Sequence, residues 1–329
     1  MNQKVSICKC AWLLASLASH PNAGGVVVIG LGCENNQLDR LLDGIENLDR
    51  DRVRAFNAQH VTDEEDSGLN AIHELTEVMA GDTRTDCPAS LLTLGMKCGG
   101  SDAFSGLTAN PLVGRMTDRV TALGGRAILT EVPEMFGAEQ LLMNRAVSRD
   151  VFERTVRLIN DFKAYFTANQ QPVSENPSPG NIAGGITTLE EKSLGAIQKG
   201  GQAAVSDVIG YGERARVPGL TLLQGPGNDA VSATALAAAG ANLILFTTGR
   251  GTPLGFPVPT LKIASNTALA ERKPRWIDFN AGELLDGRSM EDVASALWQH
   301  ILATASGQSA RNEENGYREI AIWKTGVTL

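Results

Sequence analysis

The chain has 329 residues and a net charge of −8, so it is long enough for one large domain or two medium ones. The acidic balance and the low aromatic content of 5% exclude a nucleic-acid-binding surface, which needs clustered lysine and arginine. Five widely spaced cysteines and four histidines without helical ligand spacing exclude a disulfide framework and a histidine-rich zinc site, and they favour a reduced, cytoplasmic chain.

The first 19 residues contain an apolar stretch that Cys8–Lys9–Cys10 interrupts. No cleavage site follows the stretch, so we predict a short helix over 11–19 rather than a signal peptide. No apolar run in the sequence reaches the length of a membrane span, and we therefore expect no membrane partner.

Strands and helices alternate through the first half of the chain. β-branched runs such as GVVVIGL at 25–31 are typical of strands buried on both faces. In chain order, the predicted strands are 25–31, 53–57, 90–96 and 126–130, and the predicted helices are 36–48, 62–80, 111–123, 133–144 and one that begins near 148.

The second half follows residues 170–185, which are rich in proline, glycine and asparagine and form either a domain linker or a long loop. The predicted strands here are 220–223, 242–246, 260–264, 276–279 and 320–323, and the predicted helices are 187–198, 230–239 and 290–304. The alternation predicts an α/β fold with mostly parallel sheets and flanking helices. We expect an atypical segment at 1–19 and two closely packed α/β halves at 20–170 and 171–329.

Several predicted strands end in small, polar turns, which together indicate one crevice at the carboxyl ends of the strands. The turns are 33–36, 98–102, 227–229 and 247–250. Their side chains offer thiols, hydroxyls, carboxylates and the Arg250 guanidinium, which suits bidentate capture of a carboxylate. Thiolates at Cys33 and Cys98 favour iron, zinc or copper(I), although two are too few for a closed cluster.

Each of these turns also has a purely structural interpretation. Cys98 is either a reactive thiol or a small buried hydrophobe, and Lys192 is either a catalytic amine or a solvated helix residue. Asn228 and Asp229 either bind an anion or cap the following helix, and Glu131 either acts on a substrate or stabilises a helix start.

Six long motifs give a resemblance to a known family. They are GLGCEN (30–35), KCGGSDAFSGLTANPLVG (97–114), TEVPEMFGAEQLL (130–142), ENPSPGNIAGGITTLEEKSLG (175–195), GNDAVSATALAAAGANLILFTTGRGTPLG (227–255) and WKTGVTL (323–329). In this order they resemble the altronate/galactarate dehydratase family from about His20 to Leu329. The resemblance implies removal of water from a hexonate sugar acid such as altronate, a 2-keto-3-deoxy product, and dependence on ferrous iron.

The resemblance also implies roles for particular residues. Cys33 and Cys98 become the ligands of Fe2+, held as a thiolate-bound ion or in an iron–sulfur cluster. Arg250 would hold the substrate carboxylate, and Glu131, Glu175 and Lys192 would be the acid and base groups. The substrate hydroxyls would bind to Ser101, Asp102, Asn228, Asp229 and Thr248.

Residues 1–19 do not resemble the corresponding part of the family, which has a further N-terminal region with another Gly-Cys-Ser turn. We therefore expect a separate small subunit or domain to supply the missing region, and a homo-oligomer is a further expectation. Two alternatives stay open: a truncated, non-catalytic subunit that binds sugar acids, and a related lyase that expels another group, such as a sulfo-lyase.

Overall fold

The computed structural model describes the backbone of residues 3–45 and 48–324 and the side chains from Cys10 onward, apart from that gap. Three predictions therefore lie partly outside the described residues: positions 46 and 47 of the helix at 36–48, positions 325–329 of the C-terminal motif, and the side chain of Cys8.

The described residues contain two parallel sheets. A two-stranded sheet pairs β1 (Val26–Gly30) with β2 (Val53–Asn57). A seven-stranded sheet has the order β5-β6-β4-β3-β7-β8-β9, and all its neighbouring strands are parallel. Its strands are β3 (Thr93–Cys98), β4 (Arg126–Leu129), β5 (Val205–Ile209), β6 (Gly219–Leu223), β7 (Leu243–Thr248), β8 (Thr260–Ala264) and β9 (Phe279–Asn280).

Helices surround both sheets. They are α1 (Gln3–Ala18), α2 (Leu38–Asp43), α3 (Glu64–Met79), α4 (Ala109–Ala122), α5 (Glu139–Met143), α6 (Arg149–Ala168), α7 (Pro179–Ala183), α8 (Leu189–Ile197), α9 (Asp229–Ala238), α10 (Thr267–Arg272), α11 (Met290–Ala305) and α12 (Arg311–Glu314). Polar side chains cap many of them: Asp63, Ser148 and Thr188 each accept a hydrogen bond from the first turn of their helix. This architecture confirms the predicted α/β class. None of the described helices combines the length and apolarity needed to cross a membrane.

The large sheet is buried on both faces, which explains its continuous apolar strands. Successive residues of β7 belong to different apolar clusters: Leu243 and Leu245 pack on one side, and Ile244 and Phe246 pack on the other. Helices α4, α6 and α11 contribute to the first cluster, and α1 and α9 contribute to the second. The strands are therefore fixed between two packed layers, and their carboxyl ends are held in place.

Three local predictions were wrong. Residues 320–323 form no strand, because the Trp323 backbone N–H donates to the Tyr211 hydroxyl and the indole stacks on Phe162. The predicted helix at 133–144 is a 3-10 turn at Val132–Met135 followed by α5, and the two are separated at Gly137, whose φ is +88°. Strand β5 was missed, because its sequence VSDVI carries two polar residues.

The seven-stranded sheet takes β3 and β4 from before residue 170 and its other five strands from after residue 185. The division of the chain into halves near this loop stays a prediction. Residues 170–185 themselves contain α7, which begins after the capping residue Ser178.

Candidate active site

The candidate site lies at the carboxyl end of β3, where the winding of the large sheet changes direction. The chain passes from β3 to β4 on one side, and β7 pairs with β3 on the other side. Ligands of open α/β sheets bind at such a switch point, because the loops that follow the two central strands diverge there.

The turn after β3 is pressed against the turn after β7. A Cβ atom on Gly99 would lie 2.6 Å from both Asp229 Oδ2 and the Phe246 ring, so this position has no room for a side chain. Gly100 adopts φ +65°, and its carbonyl accepts hydrogen bonds from the backbone N–H groups of Gly249 and Arg250. The glycines predicted for this turn therefore allow the backbone to approach its neighbours closely.

A lysine inside β3 organises the floor of the site. The Lys97 side chain is fully buried, and its ammonium donates to Glu131 Oε1 at 2.9 Å, Asp229 Oδ1 at 2.8 Å and Ser232 Oγ at 3.1 Å. Burial opposes the charged form, but the two carboxylates outweigh it and raise the pKa of Lys97. Lys97 is therefore a permanent cation that ties three elements of the fold together.

Glu131 occupies a strained backbone position directly after β4. Its φ is +67°, and within the described residues Gln170 is the one other non-glycine residue in the left-handed region. The turn directs the carboxylate toward β3, where Oε2 accepts the Cys98 backbone N–H at 3.0 Å. Burial raises the pKa of Glu131 despite the adjacent Lys97 ammonium.

Cys98, Glu134 and Lys192 form a second buried chain of contacts. The Cys98 thiol donates to Glu134 Oε2 at 2.8 Å, and Lys192 Nζ donates to Glu134 Oε1 at 2.9 Å. The Lys192 ammonium also donates to the side-chain oxygens of Asn176 at 2.9 Å and Asn181 at 3.0 Å. These three partners fix the ammonium of Lys192, which lies in the first turn of α8.

The ionisable groups of Cys98, Glu134 and Lys192 shift one another's pKa values. Burial raises the pKa of the Cys98 thiol to about 12, and the Glu134 carboxylate adds to the effect. Burial alone would raise the pKa of Glu134, but the ammonium groups of Lys192 and Lys199 outweigh it and lower that pKa. Burial likewise opposes the charged form of Lys192, but Glu134 outweighs it and raises the pKa of that lysine.

Lys199 is a third buried lysine of the site. It lies in the 3-10 turn at Gln198–Gly200, 1% exposed, and its ammonium finds no hydrogen-bond partner within the described part of the chain. Its charge favours the ionised forms of Cys98, Glu131 and Glu134, although burial still raises the pKa of the first two. Three buried lysines therefore surround one thiol and two buried carboxylates.

The thiol and the two carboxylates form a potential metal site. Cys98 Sγ and one oxygen each of Glu131 and Glu134 all lie within 4.8 Å of one another. A thiolate combined with carboxylates suits a divalent transition metal of intermediate softness, such as iron, better than magnesium or calcium. The donor chemistry of these three residues therefore fits the predicted ferrous ion.

Two cavities open beside this group and share a wall of three residues: Cys98, Ser101 and Lys192. The polar cavity has a volume of about 440 Å³ and is lined further by Glu134, Asp229 and other polar residues of the surrounding turns. The side cavity has a volume of about 210 Å³ and extends from the shared wall along α8 and the loop after Ser101.

The structure brings most of the predicted substrate-binding residues to these cavities. Ser101 lines both, and Asn228 and Asp229 line the polar cavity, although Asn228 Oδ1 also caps α9 by accepting from Val231 N. Thr248 is fully buried, and its hydroxyl accepts the Gly251 N–H at 2.8 Å. The exposed Arg250 is not a lining residue but lies beside the polar cavity. A Cβ on the lining residue Gly100 would be 3.4 Å from Arg250 Cβ, and the Arg250 guanidinium donates to the Gly180 carbonyl at 3.4 Å.

Both carboxylate oxygens of Asp102 already accept hydrogen bonds from neighbouring residues. Oδ1 accepts from the hydroxyls of Ser105 and Ser265 at 2.8 Å each and from Ser105 N at 2.9 Å, and Oδ2 accepts from Asn266 at 3.0 Å. A ligand would have to compete with four donors for this carboxylate. The contacts show Asp102 fixing the loop that carries Ser101, and its predicted role in binding substrate stays a prediction.

Two predicted residues are not brought to the buried group. Cys33 follows β1, which belongs to the separate two-stranded sheet, and its exposed thiol contacts the Gln59 amide at 3.5 Å. Glu175 is exposed and precedes Asn176, the residue that does contact Lys192. Their predicted roles, as metal ligand and as acid or base, stay predictions without support from these contacts.

Sequence reasoning missed several polar residues that the structure places at the centre. Lys97, Lys199 and Glu134 were not selected as site residues. A usable signal existed for Lys97, because it directly follows the apolar run at 90–96. A lysine that continues such a strand must find buried carboxylates, since an unpaired buried charge is very costly. Lys199 gives no comparable signal, because it follows a polar helix.

The sequence matches two models of one family. The model described as D-galactarate/Altronate dehydratase, C-terminal, matches residues 89–328. The model described as D-galactarate dehydratase/Altronate hydrolase, second domain, matches residues 8–80. The candidate site described above lies within the first of these two regions.

Curated relatives agree with these matches. The chain is 54% identical over 318 residues to an altronate dehydratase of Bacillus subtilis (strain 168) and 52% identical over 317 residues to one of Escherichia coli (strain K12), and each alignment covers 96% of this chain. The chain spans 64% of the length of either enzyme. It is also 31% identical to the (2R)-sulfolactate sulfo-lyase subunit beta of Chromohalobacter salexigens, over 94% of this chain and 80% of that subunit.

Proposed function

The chain belongs to the D-galactarate/altronate dehydratase family, and from this premise we propose that it is a hydro-lyase acting on a hexonate sugar acid such as altronate. The reaction removes the proton at C2 and the hydroxyl at C3 and gives a 2-keto-3-deoxy acid. One observation supports the proposal above all: a buried array of three lysines, two carboxylates and a thiol borders two cavities at the switch point of the sheet.

The chemistry sets three demands. The proton beside a carboxylate is very weakly acidic, so a base must face it and cationic groups must stabilise the enediolate that forms. The hydroxide that departs from C3 needs a proton or a Lewis acid. The site must also hold the substrate carboxylate in a fixed place.

Asp229 is the base in this proposal. Two carboxylates line the polar cavity, those of Glu134 and Asp229. Both oxygens of Glu134 already accept hydrogen bonds, Oε2 from Cys98 and Oε1 from Lys192, so neither is free to take a proton from the substrate. Asp229 uses Oδ1 for Lys97, and the hydrogen bonds of the described residues leave Oδ2 without a donor. This oxygen is therefore the one that accepts the C2 proton, while Lys97 holds the carboxylate in place.

Lys192 is the acid. It lines both cavities, and its raised pKa keeps it protonated at neutral pH. Its ammonium is positioned by Glu134, Asn176 and Asn181, so it needs no reorganisation when the C3 oxygen becomes negative. It donates the proton with which that hydroxyl leaves as water. The resulting enol becomes the 2-keto-3-deoxy acid by moving one proton from oxygen to C3.

Fe2+ is the metal in this proposal, with Cys98, Glu131 and Glu134 as the residues that would hold it. When bound, such an ion would supply a Lewis acid to the site. A charge count supports it: the ammonium groups of Lys97, Lys192 and Lys199 balance the carboxylates of Glu131, Glu134 and Asp229. With a divalent ion and the Cys98 thiolate, this group would carry one positive charge, which would favour an anionic substrate. One thiolate with two carboxylates favours a mononuclear ion over an iron–sulfur cluster.

The remaining proposals concern substrate binding, the cellular compartment and a partner subunit. Arg250 captures the substrate carboxylate at the rim of the polar cavity, and Ser101 and Asn228 bind hydroxyls. The four described cysteines with placed side chains are free, which supports a reducing, cytoplasmic setting. A separate small subunit stays a proposal, supported by the relative whose name describes it as a subunit beta.

Solvent exchange at C2 tests the two catalytic assignments separately. The purified chain, loaded with Fe2+ under anaerobic conditions, should convert altronate in D2O into a 2-keto-3-deoxy acid. Lys192→Met should still exchange the C2 proton for deuterium without losing water, whereas Asp229→Asn should do neither. Asp161→Asn, on an exposed part of α6, is the matched control and should keep the wild-type rate.

The same assay distinguishes the alternatives. Altronate binding without exchange or turnover, also in the presence of the N-terminal portion of a full-length relative, would identify a non-catalytic binding chain. A sulfo-lyase is the second candidate, because the alignment covers 80% of the sulfo-lyase subunit. Release of sulfite from sulfolactate, together with inactivity on altronate, would favour it over a hydro-lyase.

A further inference from the structure

We propose that the side cavity receives the end of the sugar acid farthest from its carboxylate, and that two facing glycines, Gly106 and Gly195, set the length of carbon chain that the site accepts. This inference rests on the proposed function and deepens it, since it concerns which acids are substrates. It follows from the position of the cavity, the chemistry of its walls and the absence of a side chain at these two lining positions.

The positions of the two cavities determine which end of the sugar acid lies in which cavity. Arg250 lies at the rim of the polar cavity. It packs beside Gly100, which lines this cavity, and its guanidinium contacts Gly180, which lies between the lining residues Ser178 and Asn181. A carboxylate held there places the adjacent carbons beside the shared wall of Cys98, Ser101 and Lys192. The carbons beyond C3 then continue past this wall into the side cavity.

The walls of the side cavity suit a chain of carbons that bear hydroxyls. Leu107, Ile186 and Leu194 supply apolar surface for the C–H groups. Asn110 supplies a polar group: its Oδ1 accepts from the Thr247 hydroxyl at 2.7 Å, and its Nδ2 has no acceptor within the described residues. The 3%-exposed amide therefore presents a donor to the cavity, where a distal hydroxyl can accept from it.

Neither glycine adds a side chain to the wall of the side cavity. A Cβ atom on Gly195 would lie 3.7 Å from Gly106 Cα and 3.8 Å from Asn110 Nδ2, which is ordinary contact distance. Neither glycine has a φ in the left-handed region, so the backbone does not require glycine at either position. Gly195 lies inside α8, where glycine is the least favourable residue apart from proline. Neither the backbone conformation nor the packing requires glycine at position 195. We therefore attribute this glycine to the need to leave the cavity free for a ligand.

Filling the cavity tests the inference. Gly195→Leu should weaken the binding of altronate by at least about tenfold, because a buried clash or the loss of a few methylene contacts has effects of this size. A four-carbon aldonic acid with the same configuration at C2 and C3 should bind within about twofold of wild type. Calorimetry measures both affinities without relying on turnover. Gly81→Leu is the control, since no heavy atom lies within 4 Å of the added Cβ.

The outcomes separate the inference from the proposed function. Equal weakening for both acids, or unchanged altronate binding, would overturn the chain-length role while leaving the dehydratase proposal in place. Wild-type protein that binds neither acid would overturn both. If Gly195→Leu does not fold, as judged by circular dichroism, Gly195→Ala adds one carbon to a helical position and should give a smaller loss for altronate alone.

Discussion

Lys192 Nζ lies 2.9 Å from Glu134 Oε1, and each side chain is only 8% exposed. The other oxygen of Glu134 accepts from Cys98, so one carboxylate connects the lysine to the thiol. This pair places the proposed acid and the proposed metal ligands in a single hydrogen-bonded unit. These hydrogen bonds are therefore coupled, and we expect a substitution of one of the three residues to alter the position and the pKa of the other two.

Removing the lysine should affect both catalysis and folding. We expect Lys192→Met to lower kcat by roughly 100- to 10,000-fold, the range for loss of a general acid. It should also lower the free energy of unfolding by about 3 kcal/mol, because Glu134 stays buried with fewer partners. Urea denaturation and product formation measure the two effects. Adding Glu134→Gln should recover part of the stability without recovering activity, and Lys163→Met, which removes a half-exposed lysine paired with Glu139, serves as the control.

Metal binding should depend on one of the two predicted thiols. Cys98→Ser is expected to abolish stoichiometric iron, because Cys98 is the sulfur donor of the buried group. Cys33→Ser should retain iron, since that thiol is exposed after β1 and contacts Gln59. Elemental analysis of protein loaded anaerobically gives the metal content directly. Loss of iron in both variants would restore Cys33 as a ligand and show that the two thiols act together.

Patterns that depend on neighbouring residues predicted the fold well. The run at 25–31 contains β1, and the capping residues Asp63, Ser148 and Thr188 mark the starts of three helices, because both signals are local. Strand order is not a local property, and the sequence could not show that β1 leaves the large sheet and pairs with β2 alone. The expected meeting of Cys33 and Cys98 depended on that missing information.

The site was predicted at the level of turns rather than of contacts. The turn at 98–102 does border both cavities, because a Gly-rich turn after a buried strand is a general feature of α/β sites. Which carboxylate meets which lysine depends on packing across distant segments. Glu134 meets Lys192, which is 58 positions away in the chain, through a turn whose left-handed residue, Glu131, no propensity predicts.

Loss of Lys97 should destabilise the chain more than loss of Lys192. Its side chain is fully buried between Glu131, which is 2% exposed, and Asp229, and removal of one partner from such a group costs about 3–5 kcal/mol. Lys97→Met should therefore lower the free energy of unfolding by about this amount in a denaturant titration. The double variant Lys97→Met, Glu131→Gln should be more stable than the single one. Equal stability of the two would indicate that the carboxylates find other partners.

His20 should give the chain an acid-sensitive component of stability away from the active site. The imidazole is 7% exposed; Nε2 donates to the Ala241 carbonyl at 3.1 Å, and Nδ1 accepts the Asn22 N–H at 3.1 Å, so the fold holds the neutral ring. Burial lowers the pKa of His20 to about 4, whereas the unfolded chain takes up the proton near 6.5. The unfolded state therefore binds more protons between these values. This contribution is complete above pH 6.5 and is lost as the pH falls toward 4, by up to about 3 kcal/mol.

Gln in place of His20 keeps a donor and an acceptor but does not titrate. We expect the difference in unfolding free energy between wild type and His20→Gln to change by up to about 3 kcal/mol between pH 7 and pH 4, with the wild type losing more. Comparing the two proteins cancels the many carboxylates that titrate over the same range. His73→Gln, on the exposed face of α3, should leave the pH profile of the wild type unchanged. Parallel profiles for wild type and His20→Gln would contradict this prediction, because they would mean that the ring takes up its proton equally readily in the folded and unfolded chains.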